Sequence, residues 1–148
     1  MSRLKQTADD ARVNLATEKF QAKDRLKRFL REFAILTPMV KSCLKEFGDE
    51  TLGTFLGFPL YKCYTTCDKT LEGSHCWSVT KRINIQTAGV CVYLSERMEN
   101  NKPAGTYYFK IGAETKDTSE QELKNLLRDC VEGVLRDIER YKAQKSSD

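Results

Sequence analysis

The stretch HCWSVTKRINIQTAGVCVYLS, residues 75–95, decides the fold of this chain because its apolar side chains recur at every second position. The alternating apolar positions are Trp77, Val79, Ile83, Ile85, Val90, Val92 and Leu94. This period predicts strands with one face in a core and the other face outward. We expect strands over 75–86 and 89–95, joined by a two-residue turn at Thr87-Ala88.

The same period continues on both sides of this stretch. We expect a strand over 60–68, a turn at 70–73, a polar loop over 96–105 and a last strand over 106–112. These turns set Tyr64 opposite Val79 and Ile85 opposite Val90, and they bring Leu94 near Tyr107. All four strands then agree on one apolar face, which a slip of one residue would invert. The pattern predicts an antiparallel meander.

A helix over 119–142 is the clearest element after the sheet. Ser119-x-x-Glu122 resembles a capping box. The following apolar residues form a broad helical stripe: Leu123, Leu126, Leu127, Cys130, Val131, Val134, Leu135, Ile138 and Tyr141. We expect this helix to cover the apolar face of the sheet.

The N-terminal third of the chain reads as a pair of helices. Residues 3–36 carry an apolar stripe, and Thr37-Pro38 suits the cap and first position of a second helix that ends near Phe47, with Gly48 just beyond. The fold class is therefore α+β: N-terminal helices, a four-stranded antiparallel meander and a C-terminal helix on the sheet. We divide the chain into a basic helical region, 1–47, and an α+β scaffold, 48–148, with the sheet at 60–112, which together form one compact domain.

Positive charge is concentrated in the helical region. The 148-residue chain has a net charge of +4, and residues 1–47 contain 11 Lys and Arg against 6 Asp and Glu. A basic row recurs at steps of four, with Arg28 beside it: Lys19, Lys23, Lys27 and Arg31. Repeated cations on a helix suit phosphate groups. The row predicts a polyanion partner, nucleic acid first; the alternative is a solvated helix face that Asp24 and Glu32 partly neutralise.

The second sheet face supplies further candidates for nucleic-acid binding. It carries aromatic and cationic residues that could stack bases and hold phosphates: Tyr61, Arg82, Tyr93 and Lys110. The alternative interpretation, which we favour, is that an N-terminal helix lies over this face, because two apolar helices need a surface to pack on.

The sequence favours a binding protein over an enzyme. The single histidine, His75, could meet Asp68 across a hairpin, but such a pair is more often a surface contact than a catalytic one. Cys63 and Cys67 are about 13 Å apart along a strand, too far to share a metal ion. We also find no phosphate-binding glycine loop. We therefore expect no catalytic residue, no metal and no cofactor.

Composition bears on location and on the alternative functions. Six cysteines without a signal-like start, and no apolar run of about 20 residues, predict a reduced cytoplasmic protein and no membrane partner. The amphipathic N-terminal helices leave open a protein-interaction module, an adaptor or inhibitor, or a homodimer joined through those helices. A small-ligand sensor with a pocket between sheet and helix, lined by Trp77 and Tyr107, is a third candidate.

Overall fold

A computed structural model describes residues 3–53, 62–65 and 73–144. A long helix precedes an antiparallel sheet of five described strands, in the order β1-β2-β3-β4-β5, and a second helix follows. The elements are α1 (Arg3–Thr51), β1 (Lys62–Thr65), β2 (Gly73–Ile83), β3 (Gln86–Glu99), β4 (Lys102–Ile111), β5 (Glu114–Asp117) and α2 (Glu120–Ala143). The predicted α+β class, with its meander and C-terminal helix, is confirmed.

The turn between β2 and β3 differs from the prediction. It lies at Asn84-Ile85, with Asn84 at a φ of 57°, and not at Thr87-Ala88. Val79 therefore pairs with Val90, and Ile85 is exposed at the turn instead of facing the core. The shift in register is even, so the apolar residues keep the predicted face.

The predicted polar loop over 96–105 is wrong, because β3 and β4 continue through it to a tight hairpin. Asn100 and Asn101 form the turn with φ angles of 51° and 62°, and Glu99 pairs with Lys102. Two consecutive positive φ values match the twist of a hairpin, and asparagine adopts them more readily than most residues.

The register of the first hairpin also differs from the prediction. Cys63 pairs with His75 and Tyr64 pairs with Ser74, whereas Tyr64 was expected opposite Val79. The partner of Tyr64 is therefore five residues from the expected one along β2. The predicted turn at 70–73 lies mostly outside the described residues.

The N-terminal helix is continuous where a break at Thr37-Pro38 was expected. The Thr37 hydroxyl donates to the Phe33 carbonyl at 2.7 Å and accepts from the Trp77 indole N–H at 3.0 Å. An internal proline costs about 3 kcal/mol, which burial of the neighbouring apolar side chains on the sheet offsets. The helix runs on to Thr51, and Gly53, with a φ of 77°, takes the position beyond the end that was predicted for Gly48.

Both helices pack on the same face of the sheet. The Phe33 ring stacks on Trp77 with centroids 4.1 Å apart, and Trp77 meets Phe109 edge to face. In α2, the Ser119 hydroxyl accepts from the Glu122 N–H as predicted, and the buried residues Leu123, Leu126, Leu127, Val134 and Ile138 join the same core. The expectation that an N-terminal helix covers the second sheet face is therefore wrong.

No helix in the described ranges is both long enough and apolar enough to cross a lipid bilayer.

Candidate functional site

The first half of α1 extends away from the core. Every residue from Asp10 to Gln21 is exposed, and burial in α1 begins at Phe29. At 1.5 Å per residue, residues 3–24 form a helix of about 33 Å. We call residues 3–24 the arm. Local contacts support the arm as a helix, among them an Asp9–Arg12 ion pair at 2.8 Å.

The predicted basic row lies at the base of the arm and on the first packed turns of α1. Lys19, Lys23, Lys27 and Arg31 are all exposed. Successive members step about 6 Å along the helix axis and about 40° around it. Within the described part of the chain, none of the four takes part in a hydrogen bond or ion pair. Their charges therefore remain available to a partner.

Two neighbouring arginines differ from this row. Arg28, a predicted site residue, forms an exposed ion pair with Asp24 at 3.3 Å. Arg25 pairs instead with Glu96 of β3, Nε to Oε1 at 2.5 Å, with side chains only 14% and 6% exposed. This pair ties α1 to the end of the sheet just before the first buried turn. The positive charge of Arg25 is therefore neutralised within the fold.

The arm also exposes large apolar side chains. Leu4, Val13, Leu15 and Phe20 have between 58% and 81% of their surface accessible. Phe20 lies between Lys19 and Lys23 in sequence and on the same exposed part of the helix as Lys27. Sequence reasoning missed Phe20 because it lies off the main apolar stripe. The signal that could have identified it is that it is an aromatic residue standing alone outside that stripe.

The described members of the second group of predicted binding residues lie on the face of the sheet opposite α1. Tyr93 pairs with Lys110 across β3 and β4. Tyr93 lies between the fully buried Val92 and Leu94, and Lys110 follows the fully buried Phe109. Arg82 lies several residues away along β2, where its Nε donates to the Asn84 carbonyl at 3.2 Å. Tyr61 lies outside the described residues. The structure does not bring the described members of this group, Arg82, Tyr93 and Lys110, together with the basic row.

Sequence reasoning also missed a cation on that second face. The Arg97 guanidinium lies 5.5 Å from the centre of the Tyr108 ring and pairs with the Asp117 carboxylate. Asp117 belongs to β5, a strand that was not predicted, so this arrangement had no signal in the sequence.

His75 occupies a core position beneath α1. Its ring meets Phe29 and Phe33 edge to face, with centroids 5.4 Å and 4.9 Å apart. Burial lowers the pKa of His75 and favours the neutral ring. Its Nδ1 has no hydrogen-bond partner in the described part of the protein. The contact predicted with Asp68 falls outside the described residues.

The surroundings of Cys43 and Cys130 disfavour their thiolate forms. Burial, with a smaller contribution from nearby carboxylates, raises the pKa of the Cys43 and Cys130 thiols. Across residues 3–53, 62–65 and 73–144, no three His, Cys, Asp or Glu residues are grouped closely enough to hold a metal ion.

A cavity of about 360 Å³ lies between the end of α1, the end of β2 and the last turns of α2. Its lining mixes charged and apolar side chains, among them Glu50, Lys81 and Ile138. It is not the pocket expected at Trp77 and Tyr107, because those rings pack against Phe33 and Phe29 instead.

Comparisons with protein-family models, with curated proteins and with solved structures find no match for this chain.

Proposed function

We propose that this protein is a non-enzymatic binding protein that engages a polyanion, in the first instance nucleic acid, through the basic row Lys19, Lys23, Lys27 and Arg31. The observation that carries the proposal is that these four exposed cations follow one another at steps of one turn and make no ion pair within the described residues. Residues 19–31 contain six Lys and Arg against one Asp. Phosphate groups are the matching ligands for such a row.

Phe20 supports nucleic acid over other polyanions. Its exposed ring adjoins the basic row, and a base can stack on such a ring while the lysines hold phosphates. Heparin and other sulfated chains offer the charge but no flat base. We therefore expect tighter binding of single strands than of duplexes of equal charge, because unpaired bases are free to stack.

Fluorescence anisotropy with labelled DNA and RNA oligonucleotides tests the proposal. We expect binding at about 50 mM salt that weakens steeply toward about 200 mM. Glutamine at all four row positions should abolish it. The control variant has the same net charge as the four-glutamine variant, because it also loses four exposed cations, but elsewhere on the surface. Its changes are Lys116→Gln, Arg128→Gln, Arg136→Gln and Arg140→Gln. Equal loss in both variants, or no binding by the natural chain at low salt, would contradict the proposal.

The exposed apolar side chains favour a second candidate, a protein-interaction module. Leu4, Val13 and Leu15 contribute nothing to phosphate binding, and large exposed apolar groups mark contact sites for proteins. Affinity purification with chemical cross-linking should then recover one specific protein. The four-glutamine variant is compared with a variant changed at Leu4, Val13 and Leu15. If the first still binds that protein and the second does not, the interaction module replaces the polyanion proposal.

A further inference from the structure

The arm carries an apolar stripe that continues the buried stripe of α1. Leu4, Ala8, Ala11 and Leu15 are spaced four, three and four residues apart, which places them on one side of the helix. At 100° of rotation per residue, Phe29 and Phe33 lie on the same side of α1 as these four residues, and they face the sheet. The sheet covers this side of α1 at Phe29 and Phe33. The described fold leaves the earlier part exposed, with Leu4 at 81% and Leu15 at 58% accessible.

The stripe is symmetric under reversal of the chain direction. Its side chains run large, small, small, large, and its spacings read the same from either end. A two-fold interface requires such a self-complementary patch. Two antiparallel arms would set Leu4 of one copy against Leu15 of the other, and Ala8 against Ala11. The small alanines at the centre would let the two helices approach closely.

Charge along the arm favours this alignment over others. Residues 3–18 contain three basic residues, Arg3, Lys5 and Arg12, against three acidic residues, Asp9, Asp10 and Glu18, and are neutral overall. Residues 19–31 have a net charge of +5. A parallel pair, or an antiparallel overlap long enough for residues 19–31 of the two copies to meet, would place the two basic segments against each other. The overlap of Leu4 through Leu15 confines the contact to the neutral part.

We propose that two copies of this chain associate through their arms as an antiparallel helix pair, with Leu4 opposite Leu15 and Ala8 opposite Ala11. An isolated helix of this length is marginal in water, so the pairing also stabilises the arm. The contact covers about two heptads, which is typical of a weak, concentration-dependent association. It leaves Lys19 and Lys23 uncovered, and it does not depend on the proposed binding of a polyanion.

Sedimentation equilibrium of the full reduced chain, without nucleic acid, measures the association. Between about 10 μM and about 1 mM we expect the mean mass to rise from one chain toward two. Leu15→Glu should raise the dimer dissociation constant at least about tenfold. Val13→Glu is the matched control, because Val13 is similarly exposed but lies on the opposite side of the helix. It should leave the constant unchanged. A chain that stays monomeric at about 1 mM, or equal effects of the two variants, would overturn the proposal.

Photo-cross-linking tests the alignment. A benzophenone amino acid replaces Leu4 in an isotopically labelled chain, which is mixed with unlabelled natural chain. The antiparallel pair predicts a cross-link to the unlabelled tryptic peptide Val13–Lys19. A cross-link that maps to residues around Leu4 of the other copy would show a parallel pair and overturn the proposed alignment.

Discussion

Replacement of Arg25 by alanine tests how the arm is joined to the folded body. The change leaves the Glu96 carboxylate without its partner while its side chain is only 6% exposed. Removal of one member of a buried ion pair costs about 3–5 kcal/mol. We expect the free energy of unfolding to fall by about 3 kcal/mol, the lower end of this range. The Arg25 side chain is 14% exposed, so water can reach the Glu96 carboxylate once the guanidinium is removed.

Urea unfolding followed by Trp77 fluorescence measures this cost. Trp77 is the only tryptophan and is fully buried, so its signal reports unfolding of the core. Arg28→Ala is the control, because its ion pair with Asp24 is exposed on both sides and contributes about 0.5 kcal/mol. A double change of Arg25 and Glu96 to leucine should recover most of the lost stability. If Arg25→Ala costs no more than Arg28→Ala, the pair does not fix α1 to the sheet.

Three further predictions concern stability and reactivity. Burial lowers the pKa of His75, so on acidification the unfolded chain takes up a proton before the folded chain does. The free energy of unfolding should therefore fall as the pH drops below about 6.5. Urea titrations at several pH values should show a weaker pH dependence for His75→Phe, and the same pH dependence in both proteins would contradict this. Gly89→Ala should lower stability by more than about 2 kcal/mol in thermal unfolding, because its Cβ would lie 2.1 Å from the Val79 carbonyl oxygen; a smaller loss would show that the strands adjust. Because burial raises their thiol pKa, Cys43 and Cys130 should react with iodoacetamide at pH 8 more slowly than a free cysteine, and mass spectrometry showing equal rates would contradict this.

The sequence predicted the faces of the central sheet better than its turns. Trp77, Val79, Val92 and Leu94 share the helix-covered face as expected, because alternation is a property of each strand and survives an even shift in pairing. The turn at Asn84-Ile85 was missed because Ile85 extends the apolar alternation. Only tertiary contacts show why it lies there: the Asn84 side chain donates to the Gln144 carbonyl at 2.9 Å, at the end of α2.

Two other features lay beyond local patterns. Thr37-Pro38 has the signature of a helix start, yet Thr37 sits inside α1 with its hydroxyl bonded to Trp77, forty residues away in sequence. The strand β5 contains Glu114 to Asp117, with no apolar residue to mark it, and it is held by pairing with β4 and by the ion pair between Asp117 and Arg97 of β3. Long-range contacts decide both cases, and the sequence does not display them.

The candidate site was predicted in part. The four residues of the basic row were expected to be exposed, and they are. The spacing of the row already left Arg25 out, but the sequence could not show that Arg25 is paired with Glu96 in the fold. It also could not show that Tyr93 and Lys110 lie on the far side of the sheet from α1, since that depends on which face the helix covers.

The dependence of oligonucleotide affinity on salt tests the central claim most directly. If Lys19, Lys23, Lys27 and Arg31 each contact one phosphate, the logarithm of the association constant should fall against the logarithm of salt concentration with a slope of about −3 or steeper. Single substitution of any one of them by glutamine should reduce the slope by about 0.7 to 0.9. A slope near zero, or a slope that these substitutions leave unchanged, would contradict the assignment of this row as the binding surface.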